Sequence, residues 1–340
     1  MKVAVVTAPG TVELREEPTP DLAPDEVLVA VGACGLCTME RRLFSGEKQI
    51  YPVAPGHEVA GSVTAVGNLV AGLAGAPQVG DRVTVDLLTR CGACRQCRRG
   101  RSALCRVPQG GALSDGTISM GAGLAEYVKV KALQAWPVGS ASVEHASMGE
   151  PLACVAHSVR LSGFSAGDRV AVIGGGYMGR LHQALTRHLG ASAVGMVDVS
   201  ATRLTEAAQA GASWTAEPGE AASSRKAAAD IVFVTAGAPG ALELGLTMCD
   251  DGGTVVLYGA FPKEHTEAVS PDAMHHHETS IVGVYSQEPE DWRTASGLLA
   301  SGSLAADLDR LVTARYGLGD VADAMALAAG SPVYRVLVGG

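Results

Sequence analysis

Aromatic side chains are scarce, 4% of a 340-residue chain in which 47% of residues are apolar. A core of stacked rings is therefore excluded, and packing must come from Ala, Val and Leu with Gly at the turns, as suits an α/β fold. Long apolar runs are missing as well, so no segment reads as a bilayer-spanning helix. The start, Met1-Lys-Val-Ala-Val-Val-Thr7, enters an alternating pattern with neither the apolar block nor the cleavage site of a secretory signal. Positive charge is not in excess: the formal net charge is −9, which argues against nucleic acid or an anionic membrane as partner. Without a signal, eight cysteines fit the reducing cytoplasm better than a disulfide scaffold.

Four of those cysteines form a dense cluster. Cys91, Cys94, Cys97 and Cys105 make a C-x2-C-x2-C-x7-C run, which brings four soft donors into one loop and can close a tetrahedral zinc site. Such a site is saturated, so its role is structural and the chemistry lies elsewhere. Arg95, Arg98, Arg99 and Arg101 in the same loop read as a solvated surface.

A length of 340 residues predicts two domains. To about residue 150, short apolar runs broken by Gly, Pro and Asp, at 26–33, 59–66, 82–85 and 124–130, read as an all-β lobe. From about 152 the period changes, and strands at 169–173, 193–197, 231–234, 254–257 and 281–284 alternate with helical stretches such as 178–189. That alternation predicts a parallel sheet covered by helices. The tail from about 288 carries two helical patterns and a last strand at 334–338, and is expected to return to the first lobe. The predicted division is 1–151 with 287–340, including a cysteine lobe at about 90–106, against 152–286.

Gly174-Gly175-Gly176-Tyr177-Met178-Gly179 is a G-x-G-x-x-G. It follows a strand and opens a helix, where backbone N–H groups hold a pyrophosphate that a Cβ would crowd. Asp198, about twenty residues on at the end of the next apolar run, is placed to accept hydrogen bonds from a ribose 2′-hydroxyl and to repel a 2′-phosphate, favouring NAD over NADP. Arg203 is a candidate contact to adenine or ribose. Three separate stretches offer metal ligands: Cys34-Gly-Leu-Cys37-Thr-Met-Glu40, Gly56-His57-Glu58, and Glu150-Pro-Leu-Ala-Cys154. A thiolate, an imidazole and a carboxylate gathered from them leave a fourth position for a substrate oxygen. His275-His276-His277 is a poor metal site, because adjacent side chains diverge.

With these motifs, and with Gly56-His57-Glu58-Val-Ala-Gly61 and Gly252-Gly-Thr-Val-Val-Leu257, the chain resembles the zinc-dependent medium-chain dehydrogenases of the alcohol, polyol and threonine branch, over nearly its whole length. The resemblance implies a GroES-like catalytic β domain and a Rossmann domain with the active site in the cleft between them. It implies two zinc ions per chain, one catalytic and one structural, and NAD as cofactor. By it the catalytic zinc is held by Cys37 and His57, with Glu58 and Glu150 competing for the third place; Cys37 is preferred because Gly46 lies nine residues on, while Cys34 becomes a small buried residue and Cys154 ranks behind Glu150. It also places Val234, Thr235, Ala236, Gly237, Tyr258, Gly259, Val284 and Tyr285 along the cofactor, and Met39, Phe44 and Tyr285 at the substrate.

One departure bears on mechanism. The family usually carries Ser or Thr two residues after the ligand cysteine and a His at the fifth; here these are Met39 and Arg42. Neither a thioether nor a guanidinium relays a proton, leaving Glu58, Thr38, a water or the substrate itself. The implied activity is hydride transfer between NAD(H) and a secondary alcohol or polyol, or its ketone. Reduction of an activated C=C or C=N bond and a lapsed cofactor-binding protein are the alternatives. A small-molecule substrate and a homodimer or homotetramer complete the expectation.

Overall fold

A computed structural model describes residues 1–107 and 111–339. The chain divides into two units, Met1–Ala153 with Glu288–Gly340, and Cys154–Gln287. No helix among the described residues is long and apolar enough to cross a membrane.

The first unit is built on two sheets. The larger one runs, in order, Ala135–Pro137, Arg82–Asp86, Glu58–Val66, Glu26–Leu36, Arg335–Gly339 and Val312–Gly317, with Tyr127–Lys131 also paired to Glu26–Leu36. Alternation puts Val27, Val29, Val59, Val63, Val83, Val85, Val336 and Val338 into one buried cluster, each β-branched side chain fitting the pleat. Burial of a Val contributes about 1.5–3 kcal/mol, so this cluster needs no aromatic ring. Strand Glu26–Leu36 is its spine, pairing antiparallel with Glu58–Val66, where Gly35 faces Glu58, and with Arg335–Gly339, where Leu36 faces Val336. A smaller sheet holds Lys2–Ala8, Thr11–Glu16, Val53–Ala54, Ile118–Ser119 and Gly111–Ala112.

The run expected from residue 124 begins its strand later, at Tyr127–Lys131. Leu124 is instead buried under the first strand, its carbonyl accepting from the Ala4 N–H at 2.8 Å. Strand Val312–Gly317, which the sequence pattern did not suggest, pairs parallel with Arg335–Gly339.

The second unit is a six-stranded all-parallel sheet. Numbered along this unit, Arg169–Ile173, Ala193–Val197, Trp214–Ala216, Ala229–Val234, Cys249–Leu257 and Ser280–Gly283 lie in the order 3-2-1-4-5-6. That order is the doubly wound dinucleotide fold, whose ligands sit beyond the carboxyl ends of the strands beside the order reversal. Here the reversal falls at Arg169–Ile173, flanked by Ala193–Val197 and Ala229–Val234. The helix Pro218–Ser224 follows strand Trp214–Ala216, with Ala221 buried.

Candidate active site

In the first unit, spine strand Glu26–Leu36 ends at the residue before Cys37, and helix Thr38–Ser45 begins just after it. Cys37 caps this helix: its Sγ accepts from the Met39 N–H at 3.1 Å, and Glu40 Oε2 accepts from the Cys37 N–H at 3.0 Å. The capping geometry aims the thiol at the loop that precedes strand Glu58–Val66. There His57 Nε2 lies 3.3 Å from Cys37 Sγ. Two ligands of one tetrahedral zinc, with bonds of about 2.3 Å to sulfur and about 2.0 Å to nitrogen, lie about 3.5 Å apart, so the pair is already close to ligand spacing.

Glu40, at the end of the Cys34–Glu40 stretch, orients the imidazole. It is buried, its Oε1 lies 3.1 Å from His57 Nδ1, and the same oxygen accepts from the Gly56 N–H at 3.1 Å. Burial alone would raise the Glu40 carboxyl, but His57 and the bond from Cys37 hold it down at about 2. Burial opposes charge on His57 too, yet the Cys37 and Glu40 charges lift it well above its usual range. Burial and then Glu40 push the Cys37 thiol up to about 11. A divalent cation reverses both tendencies, since ligation needs a thiolate and a neutral imidazole.

His57, Glu58 and Glu150 form a second group whose donor atoms lie within 4.8 Å of one another. Glu58 is 2% exposed and ion-paired to buried Arg335, Nη2 to Oε1 at 2.9 Å. Arg335 Nη1 also donates to the Leu36 carbonyl at 2.6 Å, which fastens the C-terminal strand to the strand leading into Cys37. Gly35 makes room for this carboxylate, since a Cβ there would stand 2.3 Å from Glu58 Oε2. That oxygen is buried and has no hydrogen-bond partner. Burial, reinforced by Glu150, pushes the Glu58 carboxyl up to about 7 against the pull of Arg335. A buried carboxylate oxygen without a donor is costly, and a cation held by Cys37, His57 and Glu150 would set positive charge beside it. The donor set therefore fits zinc.

The other candidates fall as follows. Cys34 is fully buried. Cys154 Sγ donates to Gln287 Oε1 at 3.1 Å within the second unit. Thr38, a candidate for the proton relay, is the first residue of a helix and exposed. His276 and His277 lie on the exposed helix Pro271–His277 against Asp272 and Asp251.

In the cysteine lobe, Sγ–Sγ separations are 3.9 Å for Cys91–Cys97, 3.5 Å for Cys94–Cys97, 4.0 Å for Cys94–Cys105 and 3.5 Å for Cys91–Cys105. A tetrahedral ZnS4 centre has edges of about 3.8 Å, whereas a disulfide is about 2.05 Å. All four cysteines are free thiols. The buried Glu288 carboxylate accepts from the Ser102 and Ala103 N–H groups at 2.9 and 2.7 Å, fixing the turn before Cys105.

In the second unit, Gly174 has φ +109, and a Cβ on Gly179 would lie 1.8 Å from the Gly174 carbonyl oxygen, so only glycine lets the helix start this close to the strand. Gly176 caps helix Tyr177–His188, and a Cβ there would meet open space, the cradle a phosphate would fill. Asp198 is 7% exposed, its Oδ2 accepting from the Gly175 N–H at 2.6 Å and its Oδ1 from the Ser200 N–H at 2.8 Å. Arg203 Nη1 stands 3.6 Å from Asp198. Both line, with Gly174, Val199, Pro218 and Ala236, a cavity of about 680 Å³. The Thr235 hydroxyl is engaged by the turn itself, donating to the Ile173 and Gly174 carbonyls at 3.0 and 2.9 Å. Tyr258 and Gly259 follow strand Cys249–Leu257, both donating to the Val234 carbonyl. Val284 follows strand Ser280–Gly283, and Tyr285 is 71% exposed.

Known proteins share this sequence pattern and fold. The family profile described as alcohol dehydrogenase GroES-like domain matches residues 23–140, and that described as zinc-binding dehydrogenase matches residues 178–301. D-altritol 5-dehydrogenase of Agrobacterium fabrum is 30% identical over 92% of this chain and 91% of its own. A Sinorhizobium meliloti 1021 structure, described as a zinc-binding dehydrogenase and bound to NADP, superposes with a TM-score of 0.89 at 32% identity, covering 100% of this chain and 99% of that one. An Escherichia coli CFT073 structure, described as a short chain alcohol dehydrogenase complexed with NADH, gives 0.85 at 26% identity, with coverage of 100% and 99%. The chain belongs to the zinc-dependent alcohol and polyol dehydrogenases, and is an oxidoreductase of that family.

Proposed function

We propose that the protein transfers hydride between NAD(H) and a secondary alcohol or polyol, with Cys37, His57 and Glu150 as ligands of a catalytic zinc and Cys91, Cys94, Cys97 and Cys105 as ligands of a structural one. The observation that carries this is the convergence of Cys37, His57, Glu58 and Glu150 from three segments onto one partly buried spot of the first unit. Glu150 takes the third place because Glu58 already has its charge opposed by Arg335. When bound, zinc supplies Lewis acidity that lowers the pKa of an alcohol, and the nicotinamide supplies the hydride acceptor.

This chain's own residues do the rest. Glu40 fixes the imidazole through Nδ1 so that Nε2 faces Cys37. Arg42 pairs with Glu47 at 3.5 Å, and the Met39 thioether holds no proton. Glu58 Oε2, free of hydrogen-bond donors, is the acceptor for the alcohol proton. Gly174, Gly176, Tyr177, Met178 and Gly179 present the start of a helix to the pyrophosphate. Asp198 accepts from the ribose and repels a 2′-phosphate, which supports NAD although one similar structure was solved with NADP. Arg203, Thr235, Ala236, Tyr258, Gly259, Val284 and Tyr285 complete the cofactor groove. A homodimer through edge strand Ser280–Gly283, and a reducing compartment that keeps the four lobe thiols unoxidised, fit the same reading.

The test is formation of reduced nicotinamide from a panel of polyols and secondary alcohols. Turnover with NAD that is lost in Cys37→Ser and His57→Ala, with NAD binding retained, is the expected result. Full turnover by either variant overturns the assignment. Asp198→Ala should move the preference toward NADP by about tenfold.

A further inference from the structure

Helix Thr38–Ser45 ends at Gly46, whose φ of +84 turns the chain back, and the Lys48 N–H then donates to the Arg42 carbonyl at 3.0 Å. The turn brings the Lys48 side chain back along the helix, so that Nζ lies 3.3 Å from Met39 Sδ. Met39 is the residue whose backbone N–H donates to Cys37 Sγ. An ammonium group therefore touches the side chain of Met39, the residue that stands where the family usually carries a hydroxyl and whose backbone meets a proposed metal ligand.

A thioether is a weak acceptor with no charge, and Lys48 is partly buried. Among the described residues no carboxylate is within ion-pair reach of Lys48 Nζ. The adjacent Glu47 turns to Arg42, Glu40 is committed to His57 and the Cys37 N–H, and Glu58 to Arg335. In a chain with 35 acidic residues against 26 basic ones, this half-buried cation next to Met39 is left without a carboxylate. Partial burial weakens water's screening and strengthens a charge-assisted hydrogen bond to an anion.

We propose that Lys48 determines substrate specificity by binding an anionic substituent of the polyol, a carboxylate or a phosphate monoester, while the reacting carbinol faces Cys37 and His57. The inference rests on the alcohol and polyol reading of the same site. It makes Lys48 a binding residue; the ammonium group takes no proton from the alcohol.

The zinc-loaded full chain, given both NAD and NADP, is assayed with a hexitol, a hexonate and a hexitol phosphate. Wild type is expected to show a higher kcat/KM on one of the two anionic substrates than on the hexitol, and the favoured one identifies the anion. Lys48→Gln should reduce that anionic-to-neutral ratio about 10- to 100-fold, chiefly through KM, and Lys48→Arg should restore most of it. Rising salt should raise KM for the anion more than for the hexitol. Equal or better use of the hexitol by wild type, or a loss in Lys48→Gln that is the same for all three and falls on kcat, overturns the role of Lys48 while leaving the polyol reading intact. No turnover of any of the three and of no other alcohol removes the polyol reading, and this inference with it.

Discussion

A single carboxylate, Glu40, joins local folding to chemistry. Its Oε2 closes the cap at Cys37 and its Oε1 meets His57 Nδ1, so the interaction that starts a helix also orients both of the proposed ligands. Glu40→Gln keeps the size but loses the charge, and zinc affinity of the catalytic site should fall about 10- to 100-fold in a chelator-competition titration; unchanged affinity would remove Glu40 from the site. A different buried group sets a pH dependence. His182 is fully buried, with Nδ1 donating to the Met178 carbonyl at 2.8 Å and Nε2 accepting from Ser158 Oγ at 3.0 Å, a neutral tautomer. Burial pushes this ring down from 6.5 to about 4. Between those values the unfolded chain holds more protons than the folded one, so stability rises with pH across that window and is lost as pH falls. The loss is on the order of 3 kcal/mol. Urea unfolding at pH 7 and pH 4.5 should show it in wild type and a much smaller dependence in His182→Gln; equal dependence in both would refute the assignment.

Among the secondary-structure elements, the Gly-rich turn is set by contact distances. With a Cβ at 179 only 1.8 Å from the Gly174 carbonyl, Gly179→Ala must push the helix start off the strand, costing about 2–4 kcal/mol and weakening NAD binding; a denaturation midpoint and cofactor affinity both at wild-type values would contradict that. The elements that the sequence disclosed were those whose pattern follows from one strong constraint. Strands buried on both faces, Arg169–Ile173 and Ala193–Val197, read as unbroken apolar runs and match at both ends. Strand Val312–Gly317, an edge whose residues are all partly or fully exposed, carried no such signal. Helix Thr38–Ser45 was hidden because it is short, follows a long strand and is capped by cysteine, a residue that ordinarily does not announce a helix start.

For the whole molecule, the α/β class and the doubly wound sheet were legible, since each depends on residues near one another in sequence. The surroundings of the proposed metal ligands were not. Arg335 reaches Glu58 only because the last strand pairs beside the spine strand, with Leu36 facing Val336, and no local pattern encodes that register. Gly35 likewise reads as an ordinary strand glycine until its partner across the sheet proves to be Glu58. The same long-range pairing leaves Glu58 Oε2 without a donor and gathers His57, Glu58 and Glu150. Metal analysis of the purified chain tests this arrangement most directly. Two zinc ions per chain in wild type and one in Cys37→Ser, with the four-cysteine lobe still loaded, is the predicted result; one in wild type, or two retained in Cys37→Ser, would contradict it.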